Sequence, residues 1–169
     1  MGPIRLLFEL TYETWTAGGA RVSEKKRFSL DAGHSLDRFE SRYTFEHRYF
    51  IDRGDASPLL HAVGIRKLKT TRMKMDRKRG LMRTWEPVRE GGELGQAVLL
   101  NPASMADTAE DDRNYFMLAQ IAPGAACVSY VGFGWTLGPD FRTVEDWDRY
   151  LADEAARLRA PVEIKIEKR

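Results

Sequence analysis

Alternation of apolar and polar side chains with a period of two dominates the first half of this chain. In the first run, polar residues such as Arg5 and Glu9 occupy one strand face. The apolar residues of the other face are Ile4, Leu6, Phe8, Leu10 and Tyr12. This period is typical of a half-buried β-strand. Gly18 and Gly19 then reverse the chain and further alternating runs follow, so the pattern predicts an antiparallel meander.

Further strands are predicted where short apolar runs lie between proline and glycine residues. They cover residues 59–66, 81–86, 94–101, 115–121 and 126–132, with a last strand at 162–166. One helix is predicted over residues 143–158, where Thr143 and Asp146 have the spacing of a capping box. Its apolar stripe consists of Val144, Trp147, Leu151, Ala155 and Leu158.

Many antiparallel strands followed by one late helix predict a mainly β protein, an antiparallel β-sandwich with a packed C-terminal helix. A length of 169 residues with 43% hydrophobic and 31% charged residues suits a single domain that spans 1–169. The formal net charge of +2 favours neither nucleic acid nor an acidic polymer, so any such partner requires a local patch.

Cysteine usage and hydropathy exclude several kinds of site. Cys127 is the only cysteine, which excludes an internal disulfide and a thiolate-rich metal site. Its apolar neighbours predict a buried, unreactive thiol. No apolar run is long enough for a membrane span, and the first residues lack the pattern of a signal peptide. We therefore predict no cofactor, no metal site and no membrane partner.

Several short motifs occur in an order that is more informative than any one of them. The first half carries Gly2-Pro3-Ile4-Arg5, Leu30-Asp31-Ala32-Gly33, Arg38-Phe39-Glu40-Ser41 and Ala62-Val63-Gly64-Ile65. The second half carries Trp85-Glu86-Pro87, Ala109-Glu110-Asp111-Asp112 and Tyr130-Val131-Gly132-Phe133-Gly134-Trp135. In this order the chain resembles the C-terminal half of the bacterial domain-of-unknown-function four-eight-six-one family.

This resemblance implies a partial galactose-mutarotase-like supersandwich from bacterial proteins that accompany polysaccharide degradation. Members of the family are typically longer and exported. The resemblance therefore implies the C-terminal portion of a longer protein that is periplasmic or extracellular. The segment 47–79 is longer and more basic than the family pattern, so its residues inherit no family role.

Charged residues on two neighbouring predicted strands form the first candidate site. Glu24 and Lys26 share a face of the second strand, and Arg38 and Glu40 share a face of the third. Charges on a concave sheet can bind sugar hydroxyls and carboxylates, or shift one another's pKa for acid–base catalysis. The alternative is salt bridging on a solvated face. We predict that these four residues and His34 surround one concave surface as the catalytic set.

Histidine is the usual group for proton transfer near neutral pH, and the chain contains three. His34 follows a predicted turn, where a side chain can reach the mouth of a cleft. His61 lies in an apolar strand and is predicted to be a core or sheet-face residue. His47 belongs to the divergent segment. None of them is paired at a spacing that predicts a metal site.

Two other patterns suggest ligand contacts. Trp85 and Glu86 are predicted to bind substrate, because an indole stacks on a pyranose while a carboxylate accepts hydroxyl hydrogen bonds. Glu110, Asp111 and Asp112 form an acidic cluster. It lacks the alternating pattern and glycine of an EF-hand, so an acidic turn is favoured over a calcium site.

A basic run extends over residues 66–83, with Asp76 as its one acidic residue. Such a run can follow a phosphate backbone or the carboxylates of a uronic-acid polymer. Its interleaved side chains include methionines but no aromatic residue for base stacking. The pattern therefore favours a solvated basic hairpin, then an anionic glycan, and nucleic acid last.

Two functions from different classes remain. The first is a carbohydrate-active or carbohydrate-binding protein for oligosaccharides or polysaccharides, including those with uronates. As an enzyme it would be a lyase, hydrolase, dehydratase or epimerase. The second is a non-catalytic structural or partner-binding β-domain. An unpaired first strand at a sheet edge further predicts self-association, and no nucleic-acid partner is expected.

Overall fold

The structure is a computed structural model that describes residues 4–45, 59–89, 91–122 and 124–160. Within these ranges it contains ten β-strands and one α-helix. The strands are β1 (Arg5–Ala17), β2 (Ala20–Asp31), β3 (Leu36–Phe45), β4 (Leu60–Arg66), β5 (Lys74–Asp76), β6 (Leu81–Pro87), β7 (Glu93–Leu100), β8 (Met105–Glu110), β9 (Asn114–Gln120) and β10 (Ala126–Trp135). The helix α1 covers Val144–Arg159.

The strands form two antiparallel sheets. The larger sheet has seven strands in the order β1-β2-β3-β10-β7-β6-β5, and the smaller has three in the order β4-β9-β8. The predicted β-sandwich with a C-terminal helix is confirmed. The short strands β5 and β8 were not predicted, and the predicted strand at 162–166 lies outside the described residues.

The larger sheet is covered on both sides over its central strands. We call the side against α1 the helix face and the side against the smaller sheet the inner face. The helix-face core contains Leu36, Leu81, Trp85, Ala97, Leu99, Phe141, Trp147, Leu151 and Ala155. The inner-face core contains Ile65, Met82, Val98, Leu100, Met117, Ala119 and Cys127. The predicted burial of Cys127 is confirmed.

The helix begins at the predicted cap and packs through most of the predicted stripe. Thr143 Oγ1 accepts a hydrogen bond from the Asp146 amide at 3.2 Å, and Asp146 Oδ2 accepts one from the Thr143 amide at 3.1 Å. This reciprocal pair satisfies two of the free amide groups at the helix start. Trp147 and Leu151 are fully buried, whereas Leu158 at the end of the stripe is exposed.

Two glycines make the close packing of α1 possible. A Cβ atom on Gly95 would lie 2.6 Å from the Trp147 ring, and one on Gly134 would lie 2.6 Å from the Phe141 ring. Real Cβ atoms essentially never approach so closely, so a side chain at either position would displace an aromatic ring. The glycine-spaced aromatic strand is thus a docking surface for the helix.

The first strand differs from its prediction. The strand was expected to bury its apolar face, yet Phe8, Leu10 and Tyr12 on that face are each about 40% exposed. The reason is that β1 lies at the edge of the larger sheet, while the smaller sheet packs on β7 nearer the other end. Phe8 instead stacks on Phe28 of β2, with ring centroids 4.5 Å apart.

Candidate functional site

The structure separates the residues predicted to form one catalytic surface. Antiparallel pairing places Lys26 opposite Ser41 and Arg27 opposite Glu40. Paired residues share a face and consecutive residues alternate, so Glu24 and Lys26 lie on the inner face. Arg38 and Glu40 lie on the helix face. The predicted convergence of these charges is therefore wrong, because the register between β2 and β3 puts them on opposite sides of the sheet.

On the helix face, Glu40 is held between two arginines of its own strand. Arg38 Nη2 and Arg42 Nη2 each lie 2.8 Å from a Glu40 carboxylate oxygen. The hydrogen bond from Arg38, together with that from Arg42, lowers the pKa of Glu40 against the effect of burial. This arrangement is an ion-pair network, the alternative interpretation of the charged strand. His34 lies apart in the β2–β3 turn, with Nδ1 4.0 Å from Glu154 Oε1.

Trp85 and Glu86 do not form the predicted stacking wall. They are consecutive residues of β6 and therefore point to opposite faces. Trp85 is only 1% exposed within the helix-face core. Glu86 is fully buried on the inner face, where it accepts hydrogen bonds from Thr71 Oγ1 at 2.6 Å and Gln96 Nε2 at 3.2 Å.

A different set of polar side chains converges between the two sheets. We call it the inner-face polar cluster, and its members are Glu24, Lys26, Ser41, Tyr43 and His61. Tyr43 Oη lies 2.6 Å from His61 Nδ1, which joins β3 of the larger sheet to β4 of the smaller. Lys26 Nζ lies 3.3 Å from Glu24 Oε1. Glu24, Ser41 and Tyr43 are buried.

The environment fixes the protonation of the Tyr43–His61 pair. Burial, with a contribution from the negative charge of Glu24, raises the pKa of the Tyr43 hydroxyl. Burial, with a contribution from the positive charge of Lys26, lowers the pKa of His61. At neutral pH the hydroxyl is therefore protonated and the imidazole is neutral. A neutral ring can accept a proton and a protonated hydroxyl can donate one, which is the complement needed for acid–base catalysis.

Glu24 leaves an unfilled acceptor at the centre of this cluster. Its Oε1 atom is fully buried and accepts no hydrogen bond from any residue in the described ranges. The Lys26 ammonium is close enough for an ion pair but does not meet hydrogen-bond geometry. A buried carboxylate oxygen without a hydrogen-bond donor costs free energy. The Tyr12 ring lies beside Lys26, with its centroid 5.3 Å from Lys26 Nζ.

One known protein family matches nearly the whole chain. The family described as "Domain of unknown function (DUF4861)" matches residues 1–164. The chain belongs to this family. The resemblance inferred from the motifs is thereby confirmed.

Among curated proteins, the DUF4861 chain is similar to "Uncharacterized protein P7" of Formosa agariphila. The two are 26% identical over 179 residues, which cover 98% of this chain and 40% of that protein. The chain thus spans less than half the length of this relative. No solved structure matches the present chain. Within the described ranges, no helix has the length and hydrophobicity required to cross a membrane.

Many side chains of the basic run of the DUF4861 chain form ion pairs, most of them at the exposed surface. Its ion pairs are Lys67–Glu110, Arg72–Glu93, Lys74–Asp148, Arg77–Asp107, Arg79–Asp76 and Arg83–Asp148. Most of these acidic partners come from other elements, so charge patterning along the sequence could not predict them. The pairs attach β5, β6 and the segment before them to α1 and to the smaller sheet.

The acidic cluster is a turn, as predicted. Asp111 Oδ1 accepts hydrogen bonds from the amides of Arg113 and Asn114, both at 2.7 Å. The bond from the Arg113 amide, with others from Asn114, lowers the pKa of Asp111. Among the residues that the structure describes, no group of three or more histidine, cysteine or acidic side chains is arranged to hold a metal ion.

Sequence reasoning missed the Tyr43–His61 pair. Tyr43 belongs to a predicted alternating run, and His61 was predicted to be a core or sheet-face residue, which the structure confirms. Their meeting depends on how the two sheets pack, and the 18-residue separation carries no signal for it. His47 lies outside the described residues.

Proposed function

We propose that this DUF4861 chain binds or acts on oligosaccharides released in bacterial polysaccharide degradation, through the inner-face polar cluster. The observation that carries this proposal is the unfilled acceptor Glu24 Oε1. A sugar hydroxyl is the ligand group that fits it, because a hydroxyl donates to the carboxylate while its own oxygen accepts from a neighbouring donor. The family resemblance to proteins of polysaccharide use supports the same conclusion.

The surroundings of Glu24 favour an acidic sugar over a neutral one. Lys26 brings a positive charge to the same face, and it can neutralise the carboxylate of a uronate. The half-exposed ring of Tyr12 lies next to it and can pack against the apolar face of a pyranose. The Tyr43–His61 pair supplies groups that exchange protons. The substrate class that uses all of these groups is a uronate-containing oligosaccharide.

If the chain is an enzyme, the cluster best supports a lyase among the four reaction types. In β-elimination from a 4-linked uronate, neutral His61 would donate its Nδ1–H to Tyr43 Oη and remove the C5 proton through Nε2, while Lys26 stabilises the negative charge on the C6 carboxylate. The electron pair forms the C4–C5 double bond, and the C4–O bond breaks. The Tyr43 hydroxyl protonates the departing oxygen, so the step needs no further reactant. A non-catalytic sugar-binding protein would use the same contacts without turnover.

Two adjacent lysines provide a matched test of this proposal. Lys26 lies on the inner face, whereas Lys25 is exposed on the helix face of the same strand. We expect trigalacturonate to bind the wild-type chain in calorimetric titration. A lost charged hydrogen bond is worth about 1.5–3 kcal/mol, so Lys26→Gln should weaken binding roughly tenfold or more. Lys25→Gln removes the same charge and should bind like wild type.

The titration also separates binding from catalysis. The C4–C5 double bond is conjugated with the carboxylate, so the product absorbs ultraviolet light. Turnover is therefore measured as an increase in absorbance in the same mixtures. Absorbance growth that Tyr43→Phe abolishes supports the lyase, and binding without growth supports the non-catalytic alternative. Equal affinities in the Lys26→Gln and Lys25→Gln variants would move the site away from the inner face.

A second candidate function is a partner-binding β-domain, and the edge strand β1 favours it. In this strand Leu7 is 54% exposed and Leu10 is 44% exposed. An edge strand with exposed apolar side chains and unpaired backbone groups can pair with a strand of another molecule. The partner that this surface fits is a second copy of the chain, joined through β1. Sedimentation measures this association directly.

A further inference from the structure

A cavity on the other side of the larger sheet is separate from the inner-face polar cluster. It has a volume of about 360 Å³ and lies beside the C-terminal end of α1. Leu99 and Val128, on the helix face, contribute to its lining together with Leu158 of the last helical turn. Tyr130 and Asn101 also line it. This volume accommodates a molecule of monosaccharide size.

Three arginines from three separate parts of the chain line this cavity. Arg38 comes from β3, Arg79 from the turn between β5 and β6, and Arg159 from the end of α1. None of the described residues that line the cavity is acidic. Arginine is weakly hydrated and presents a planar set of donors that matches carboxylate and phosphate oxygens. The cavity therefore offers guanidinium donors beside an apolar wall.

Each guanidinium is held in place and still has donors to offer. Arg38 Nη2 lies 2.8 Å from Glu40, and Arg79 Nη1 lies 3.2 Å from Asp76. Arg159 Nε donates to the Ala155 carbonyl at 3.2 Å. A guanidinium carries five N–H donors, so these contacts orient the side chains without using all of their donors. Oriented donors lose less conformational entropy when a ligand binds.

The turn that carries Arg79 is fixed against the end of β7. Gly80 has φ +63°, and a Cβ atom there would lie 2.1 Å from the Leu100 carbonyl oxygen. The Leu100 amide donates to the Gly80 carbonyl at 2.8 Å. Only glycine fits this position. The close contact between this turn and β7 places the neighbouring Arg79 at the cavity. Asn101 Oδ1 accepts from the Ala103 amide, so its amide nitrogen remains to donate to a ligand.

We propose that this cavity binds a sugar-sized organic oxyanion, with the three arginines contacting the anionic group and the apolar wall contacting the carbon skeleton. Carboxylates and phosphate esters share the required chemistry. This proposal does not depend on the inner-face polar cluster, since the two sites lie on opposite faces of the sheet.

Titration with three related sugars tests the charge requirement. Glucuronate and glucose 6-phosphate carry an oxyanion on the same ring, and glucose carries none. We expect the wild-type chain to bind at least one of the two anions at least tenfold more tightly than glucose, and the tighter one identifies the preferred oxyanion. Equal binding of glucose, or no binding of either anion, would overturn the proposal.

Matched arginine variants test the location. Arg79→Gln and Arg159→Gln each remove one charge from the cavity and should each weaken anion binding about tenfold. Arg149→Gln removes an exposed charge on the outer side of α1, where Arg149 pairs with Asp146, and should have no effect. Wild-type affinity in both cavity variants would contradict the assignment.

Discussion

The two ends of the seven-stranded sheet are covered very differently. Around β6 and β7, α1 packs on one face and the smaller sheet on the other, and Trp147 is fully buried. At the β1 end, Trp15 is 38% exposed, and Phe8, Leu10 and Tyr12 of the edge strand are each about 40% exposed. Tight packing is therefore concentrated at one end of the sheet, and exposed apolar side chains are concentrated at the other. The inner-face polar cluster lies between these two regions, on β2, β3 and β4.

The largest expected effect comes from removing a tryptophan at the covered end. Truncation of a buried large aromatic costs about 3–5 kcal/mol, so Trp147→Ala should lower the Tm by roughly 10 °C. Trp15→Ala removes the same side chain at the open end and should cost less than half as much. Thermal melts followed by circular dichroism compare the two. Equal losses would mean that the ends do not differ in packing.

A smaller effect is expected from the ion pair that joins α1 to the sheet. Asp148 accepts hydrogen bonds from Arg83 Nε at 2.7 Å and Arg83 Nη2 at 3.0 Å. Burial alone would raise the pKa of Asp148, but the bonds from Arg83 and Lys74 outweigh it and lower the pKa. Asp148→Asn should cost roughly 1.5–3 kcal/mol at neutral pH.

The same pair predicts a pH dependence. A carboxyl group whose pKa is lower in the folded state stabilises the protein above its unfolded value, about 3.9. This contribution is lost as the pH falls through the folded value. Urea midpoints of the wild type should therefore decrease below about pH 4, and those of Asp148→Asn should decrease less. Parallel pH profiles would show that Asp148 is not the group responsible.

The next largest effect is expected from the hydrogen bond that joins the two sheets in the inner-face polar cluster. Tyr43→Phe removes the bond to His61 and leaves a buried ring nitrogen without its partner, which costs about 1–2 kcal/mol. Tyr12→Phe removes an exposed hydroxyl and should be neutral. Chemical unfolding measures both. A neutral Tyr43→Phe would indicate that water already replaces this bond.

The smallest effect on folding is expected at the edge strand. Leu10 is 44% exposed, so Leu10→Lys should change the stability of the monomer little. It should, however, abolish weak self-association, because a charged side chain on an edge opposes strand pairing. Sedimentation at high protein concentration provides the readout. A wild-type chain that remains monomeric would contradict the association itself.

Local patterns predicted the elements of this fold but not the site. Alternation located the strands that carry Glu24 and Glu40, and the Thr143–Asp146 spacing located the start of the helix. Which faces meet depends on register and strand order. Pairing of β3 with β10 joins segments far apart in the chain. Register and packing also explain Trp85, which was predicted to stack on a sugar but is buried beneath α1.

His61 offers the most direct test of the central claim that the inner-face polar cluster binds sugar. Its ring signals in proton NMR can be followed during titration with trigalacturonate, with His34 as an internal control on the exposed turn. We expect the His61 signals to shift saturably and the His34 signals to remain unchanged. Because burial lowers the pKa of His61, its free-state signals should also titrate at lower pH than an ordinary histidine. Shifts confined to His34, or none at saturating sugar, would contradict the assignment of the site.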